Sequence, residues 1–274
     1  GQRQAVEDHV RRGRNFASFS GNTMFWQVRL EQTPGGISMV CHKYAAHLAD
    51  PVVADGRPDE MSGMWADPLV GRPEWELLGA GSAFGLYHRF GRATPRGVGG
   101  FVVYRNDHWM LDGTGLGYGD VLGADDGVVG YETVGCPLTF DEFQLPVSRP
   151  HPGLPAEVEI VAFTPSSNLV VGEYPTSISA LSDQGDAEFI ATRLYGDAGD
   201  TNLARVRHGN AVITTCRPFP DGGEVVTIGT TDWVFGLGRD ALVDHVTSNI
   251  LARYSSVGSP ARGAHSNRPQ PTPT

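Results

Sequence analysis

The residues of this chain best placed to do chemistry gather around a polar glycine turn, Ser20-Gly21-Asn22. A short aromatic run, Phe16, Ala17 and Phe19, leads into it, and Met24, Phe25, Val28 and Leu30 follow at helical spacing between Thr23 and Gln32. A strand that ends in a glycine turn before an amphipathic segment matches the place where open α/β sheets hold ligands, the crevice beyond the carboxyl ends of the strands. Asn22, Trp26 and Arg29 are therefore candidates for a pocket rim, although a glycine turn beside a core tryptophan would look the same. Ser20 stands where a nucleophile elbow would, but the G-x-S-x-G spacing is absent. Asp107-His108-Trp109 offers His108 either to a substrate carbonyl or to a backbone turn, and Asp232-Trp233 has the same standing. Cys41, His42, Tyr44 and His47 are possible metal donors, yet on a strand His42 and His47 would face opposite sides. The glycines from Gly113 to Gly123 lack the following lysine of a phosphate cradle, and Asp112, Asp120, Asp125 and Asp126 would repel phosphate. The same aspartates fail the spacing of a calcium loop.

Composition narrows the classes of partner. The chain has 274 residues, 40% of them hydrophobic and 9% aromatic, enough for one large or two modest cores. A net charge of -10 with only 21 scattered lysines and arginines argues against nucleic acid. No apolar run approaches the roughly 20 residues of a membrane span, and no secretory leader opens the chain. Three distant cysteines, Cys41, Cys136 and Cys216, suggest free thiols and a cytoplasmic protein.

The elements that must position these residues read mostly as strands. Gln2 to Arg12 is an amphipathic helix stopped by Gly13, and a helix delivering its chain straight into a buried strand creates an expectation of further sequence upstream of Gly1. Strands are expected at Ile37 to Tyr44, Leu77 to Phe90, Gly100 to Arg105, His108 to Leu111 and Val128 to Val134. Between the first two lies a long connection, Ala49 to Glu76, with four prolines and with Glu60, Met64 and Trp65; irregular segments of that length are usually functional. Later strands are expected at Glu157 to Phe163, Ala187 to Leu194, Leu203 to Val206, Asn210 to Thr215 and Glu224 to Gly229, with Asp240 to Tyr254 a helix packed on the sheet. Residues 255–274 have the composition of a disordered tail.

Several runs together resemble the C-terminal region of the N,N-dimethylformamidase large (beta) subunit family. They are Phe19-Ser20-Gly21-Asn22-Thr23 with Trp26-Gln27-Val28-Arg29, Asp107-His108-Trp109, Gly113-Thr114-Gly115-Leu116, Gly130-Tyr131-Glu132, and Gly229-Thr230-Thr231-Asp232-Trp233 with Gly236-Leu237. The resemblance implies an α/β fold with a class I glutamine amidotransferase-like core, of which residues 1–150 are the C-terminal part with inserted loops; residues 151–254 read as a β-rich extension closing with a helix. It also implies hydrolysis of a small amide at a mononuclear iron held by two tyrosines, a histidine and a glutamate, with a further glutamate moving protons. The family's metal-binding His-x-Glu pair has no counterpart in residues 1–274, so the iron is implied only by the family and no ligand is assigned on this chain. Glu132 is the candidate for the assisting carboxylate, and Glu60 is the competing choice. Asn22, Trp26, Arg29, Glu60, Trp65 and His108 are candidate substrate contacts.

The expected function is thus cleavage of a C–N bond in a small amide, with a small subunit or a second copy as expected partners. A noncatalytic scaffold supporting a site built by other sequence is the alternative. A carbohydrate protein, suggested by the five tryptophans, is the third reading, though tryptophans in a β-rich chain are usually core.

Overall fold

A computed structural model describes residues 1–90, 99–175 and 185–256 of the chain, so the expected tail lies outside the described residues. In chain order the elements are α1 (Gln2–Arg11), β1 (Phe16–Phe19), β2 (Arg29–Thr33), β3 (Gly36–Val40), α2 (Ala46–Ala49), α3 (Pro51–Ala54), α4 (Trp75–Leu78), β4 (Phe101–Val103), β5 (Val121–Leu122), β6 (Leu138–Phe140), β7 (Pro146–Ser148), β8 (Val158–Ser167), α5 (Asp186–Tyr195), α6 (Asp200–Arg207), β9 (His208–Cys216), β10 (Val225–Ile228) and α7 (Ala241–Ser255).

One eight-stranded sheet carries the fold, in the order β1-β10-β9-β8-β4-β5, with β7 joined to β8 and β6 to β7. Among the described residues only β1 and β10 pair in parallel, Phe16 opposite Val225 through Phe19 opposite Ile228; the remaining pairs of this sheet are antiparallel. The sheet draws strands from both sides of residue 150. Its central strands are buried on both faces, which alternation makes possible. Ala211, Ile213, Val226 and Ile228 face the side covered by Val243, Val246 and Ile250 of α7, while Val212, Cys216 and Val225 face the side covered by Val10 of α1 and Leu77 and Leu78 of α4. Helix α7 starts where Asp240 accepts hydrogen bonds from the Leu242 and Val243 amides at 2.8 and 3.3 Å.

Several expected strands are helical. Ala187, Ile190, Ala191 and Leu194 recur at helical spacing in α5, which opens with Asp186 and Glu188 in its first turn and closes at Gly196 with φ +95°. The helical face is buried against Phe25, Met64 and Trp75, and that packing overrides a run whose short length suits either conformation. Leu203 to Val206 lies in α6. Leu77 to Phe90 is broken by Gly79 and Gly85, at φ +67° and +132°, into α4 and a 3-10 turn at Ser82–Phe84. His108 to Leu111 is a 3-10 turn capped by His108, and Val128 to Val134 is no regular strand, joining its neighbours by a Thr133–Thr230 bridge and by backbone bonds such as that from the Val134 N–H to the Gly229 carbonyl at 3.1 Å. Thr23 to Gln32 is not helical: Met24 at φ +58° turns the chain, and β2 pairs with β3 as a separate hairpin. Its Leu30, Ile37 and Met39 are 67–71% exposed. Among the described residues no helix is long and apolar enough to cross a membrane.

Candidate active site

The turn after β1 presents Asn22 at φ +49°, a left-handed conformation that asparagine tolerates better than most residues. Thr23 Oγ1 ties the turn by donating to the Ser20 carbonyl at 3.1 Å. Gly21 lies flat against the peptide after Glu132, where a Cβ would come within 2.1 Å of the Glu132 carbonyl oxygen. That contact brings two segments far apart in the chain together, and the Asn22 amide donates to Glu132 Oε1 at 2.8 Å.

Glu132 is fixed through its own backbone. Its N–H donates to Thr231 Oγ1 at 3.2 Å, and its carbonyl accepts from the Thr231 N–H at 2.9 Å. Asp232 accepts from the Tyr131 N–H at 2.9 Å, and the buried Thr133 donates through its N–H and Oγ1 to the carbonyls of Leu86 and Gly85 at 2.7 and 2.9 Å. Burial pushes the Glu132 pKa up; donation from Asn22 opposes the rise, Asp186 and Asp232 add to it, and Lys43 counters it.

Beside Glu132 stands a buried carboxylate that the sequence did not single out. Asp186 opens α5 and accepts from the hydroxyls of Tyr44 at 2.7 Å, Tyr87 at 2.9 Å and Tyr174 at 2.6 Å. Desolvation, and then the charge of Asp186, raise all three phenol pKa values far above the ordinary range, so each tyrosine stays a neutral donor. Tyr44 also lies in the fields of Tyr131 and Glu132. Trp26 joins this wall edge-on to Tyr44 at 5.2 Å, with Lys43 Nζ 6.0 Å from its ring centre. Tyr87 and Tyr131 continue it, their ring centres 5.9 Å apart.

The other candidates lie elsewhere. Arg29 grips Asp50 with bonds of 2.6 and 2.9 Å and donates to the Glu60 carbonyl at 2.9 Å. Arg29 and Glu60 line a separate cavity of about 350 Å3 with Gln27 and Arg72, and the Glu60 carboxylate pairs with Arg57. Trp65 is stacked between Arg3 at 4.6 Å and Arg72 at 5.4 Å. His108 accepts from the Met110 N–H at 3.3 Å and is nearly enclosed, which lowers its pKa to about 4. Ser20 Oγ donates to the Gly21 carbonyl, and Trp233 is buried with its indole on Thr247. The donors around Cys41 diverge: His42 bonds Ser62 at 2.9 Å, Tyr44 bonds Asp186, and His47 lines another pocket with Arg193.

With Asn22 held on Glu132 at a glycine contact and Thr231 and Asp232 bonded to the backbone of Glu132 and Tyr131, three of the runs that suggested a family, around Asn22, Glu132 and Asp232, meet in one site. A family model, N,N-dimethylformamidase beta subunit-like, C-terminal, matches residues 1–248. The chain belongs to that family. No curated protein matches it. Among the described residues no group of three or more His, Cys, Asp and Glu is placed to hold a metal. The three tyrosines around Asp186 are committed as hydrogen-bond donors.

Proposed function

We propose that this family member forms the proton-transfer side of a hydrolase that cleaves the C–N bond of a small amide. The observation that supports the reading is the Asn22–Glu132 contact, a half-buried carboxyl with a raised pKa held by a side-chain amide. Amide hydrolysis needs such a group, because an amine leaves only after its nitrogen is protonated. In the proposed sequence Glu132 takes a proton from the attacking water and passes it to the leaving nitrogen, so that amide and water become carboxylate and ammonium. Asn22 holds one carboxylate oxygen, and the wall of Trp26, Tyr44 and Tyr131 gives small N-alkyl groups an apolar surface. The class I glutamine amidotransferase-like core belongs to the same proposal, supported by the parallel β1–β10 pair between α7 and the α1–α4 layer. So does assembly with a small subunit or a second copy, which the family's subunit name supports.

A second reading, a noncatalytic scaffold for a site built elsewhere, is favoured by the full commitment of Asp186 to three phenols. Amine release from small amides by the purified protein and by Glu132→Gln, with iron content measured alongside, separates the two. The hydrolase reading expects activity that falls at least about a hundredfold in the variant, the scale of general acid–base catalysis. A folded protein without activity, under conditions where iron is supplied, favours the scaffold.

A further inference from the structure

Behind Asn22, on the side away from Glu132, lie Glu74 and Ser82, neither with any exposed surface. Glu74 Oε1 accepts the Ser82 N–H at 3.0 Å, and Gly81 between them leaves no room for a side chain, since a Cβ would lie 2.8 Å from Oε1. Ser82 Oγ then donates to Asn22 Oδ1 at 3.4 Å, while the other end of the same amide donates to Glu132 at 2.8 Å. Glu74 itself is not neutralised by an ion pair, its Oε2 has no hydrogen-bond partner among the described residues, and burial raises its pKa to about 7.

A side-chain amide has two orientations with opposite hydrogen-bonding sense. An ionised Glu132 only accepts, so it requires the NH2 end; turned over, Asn22 would aim its carbonyl oxygen at a carboxylate. Among the described residues the carbonyl end has one side-chain donor, the Ser82 hydroxyl. We propose that Ser82, its backbone anchored by Glu74, is a positioning residue that tethers the carbonyl end of the Asn22 amide and so holds the NH2 end within reach of Glu132. The catalytic consequence rests on the amide-hydrolase reading, but the positioning does not. Without the Ser82 hydroxyl the carbonyl end of the amide is untethered, the NH2 swings out of reach of Glu132 part of the time, and the carboxyl becomes easier to protonate.

The test follows the Glu132 carboxyl carbon by 13C NMR through a pH titration of the full chain labelled at glutamate, assigned with Glu132→Gln. Ser82→Ala is expected to raise the Glu132 midpoint by about half a unit to one unit, a fraction of what a charge-assisted hydrogen bond supplies. Ser82→Cys, which keeps a weak donor of similar size, should give a smaller rise and guards against misfolding of the alanine variant. Glu74→Gln keeps an acceptor for the Ser82 N–H and should leave the midpoint near that of the native chain. Where hydrolysis is measurable, the acid limb of the kcat profile should move by the same amount in Ser82→Ala. A titration shift without hydrolysis upholds the positioning role and removes the hydrolase reading alone. An unchanged Glu132 midpoint in folded Ser82→Ala and Ser82→Cys overturns the positioning role, whatever the activity.

Discussion

Glu132 and Asn22 meet because Gly21 has no side chain, so the smallest residue of the site sets its geometry. Gly21→Ala would press a methyl against the Glu132 carbonyl and the Thr133 amide at 2.1 and 2.8 Å, both backbone atoms that cannot rotate away. The expected cost is about 1–3 kcal/mol in chemical denaturation, with amine release reduced at least about tenfold by the displaced carboxyl. Glu74 offers a separate residue-level measurement. Its folded pKa, about 7, exceeds the ordinary glutamate value of 4.5. Its stabilising contribution is therefore fully present below 4.5 and is lost as pH rises through 7, because the unfolded chain releases the proton first. Glu74→Gln should flatten that decline, gaining on the order of 3 kcal/mol relative to the native chain between about pH 4 and pH 8. Equal pH slopes for the two proteins would show that Glu74 keeps an ordinary pKa.

At the scale of elements, α7 is the longest helix described, and its sheet-facing residues Val243, Val246 and Ile250 have no exposed surface. Ile250→Ala should cost about 3 kcal/mol, since the cavity under a helix clamped on a sheet cannot fully collapse. Asp240→Ala removes the acceptor for two helix amides and should cost about 1 kcal/mol. Thermal or denaturant unfolding of the two variants checks both values. This helix was legible in the sequence because its period is long and capped, as were α1, β1, β8, β9 and β10. The segment of α5 was misread for a physical reason: Ala187 to Leu194 is short and apolar enough for either conformation, and burial against Phe25 and Trp75 decides it. Reading α5 as a strand hid Asp186, whose place in the first turn of a helix was the one local signal available. The tyrosines that reach it come from three separate runs, a convergence that only tertiary structure produces. Asn22 and Glu132 were readable as residues, the latter through family resemblance, but not as a pair. Arg29, Glu60, Trp65 and His108 have chemistry-bearing side chains that the fold gives to ion pairs, stacking and a cap.

For the whole molecule, the arrangement of the sheet decides when the site can exist at all. β1 meets the rest of the sheet through β10, which joins Phe16–Phe19 to Val225–Ile228. During synthesis the Asn22 turn emerges from the ribosome well before its supporting strand, and the apolar residues of β1 remain without their native cover in the interval. Loop closure over so much chain is slow to nucleate, and local helix formation in α1 cannot substitute for it. Chains stalled before Val225 should be degraded by protease under conditions that spare chains extending beyond α7, so the site matures only once the distal strand has been made.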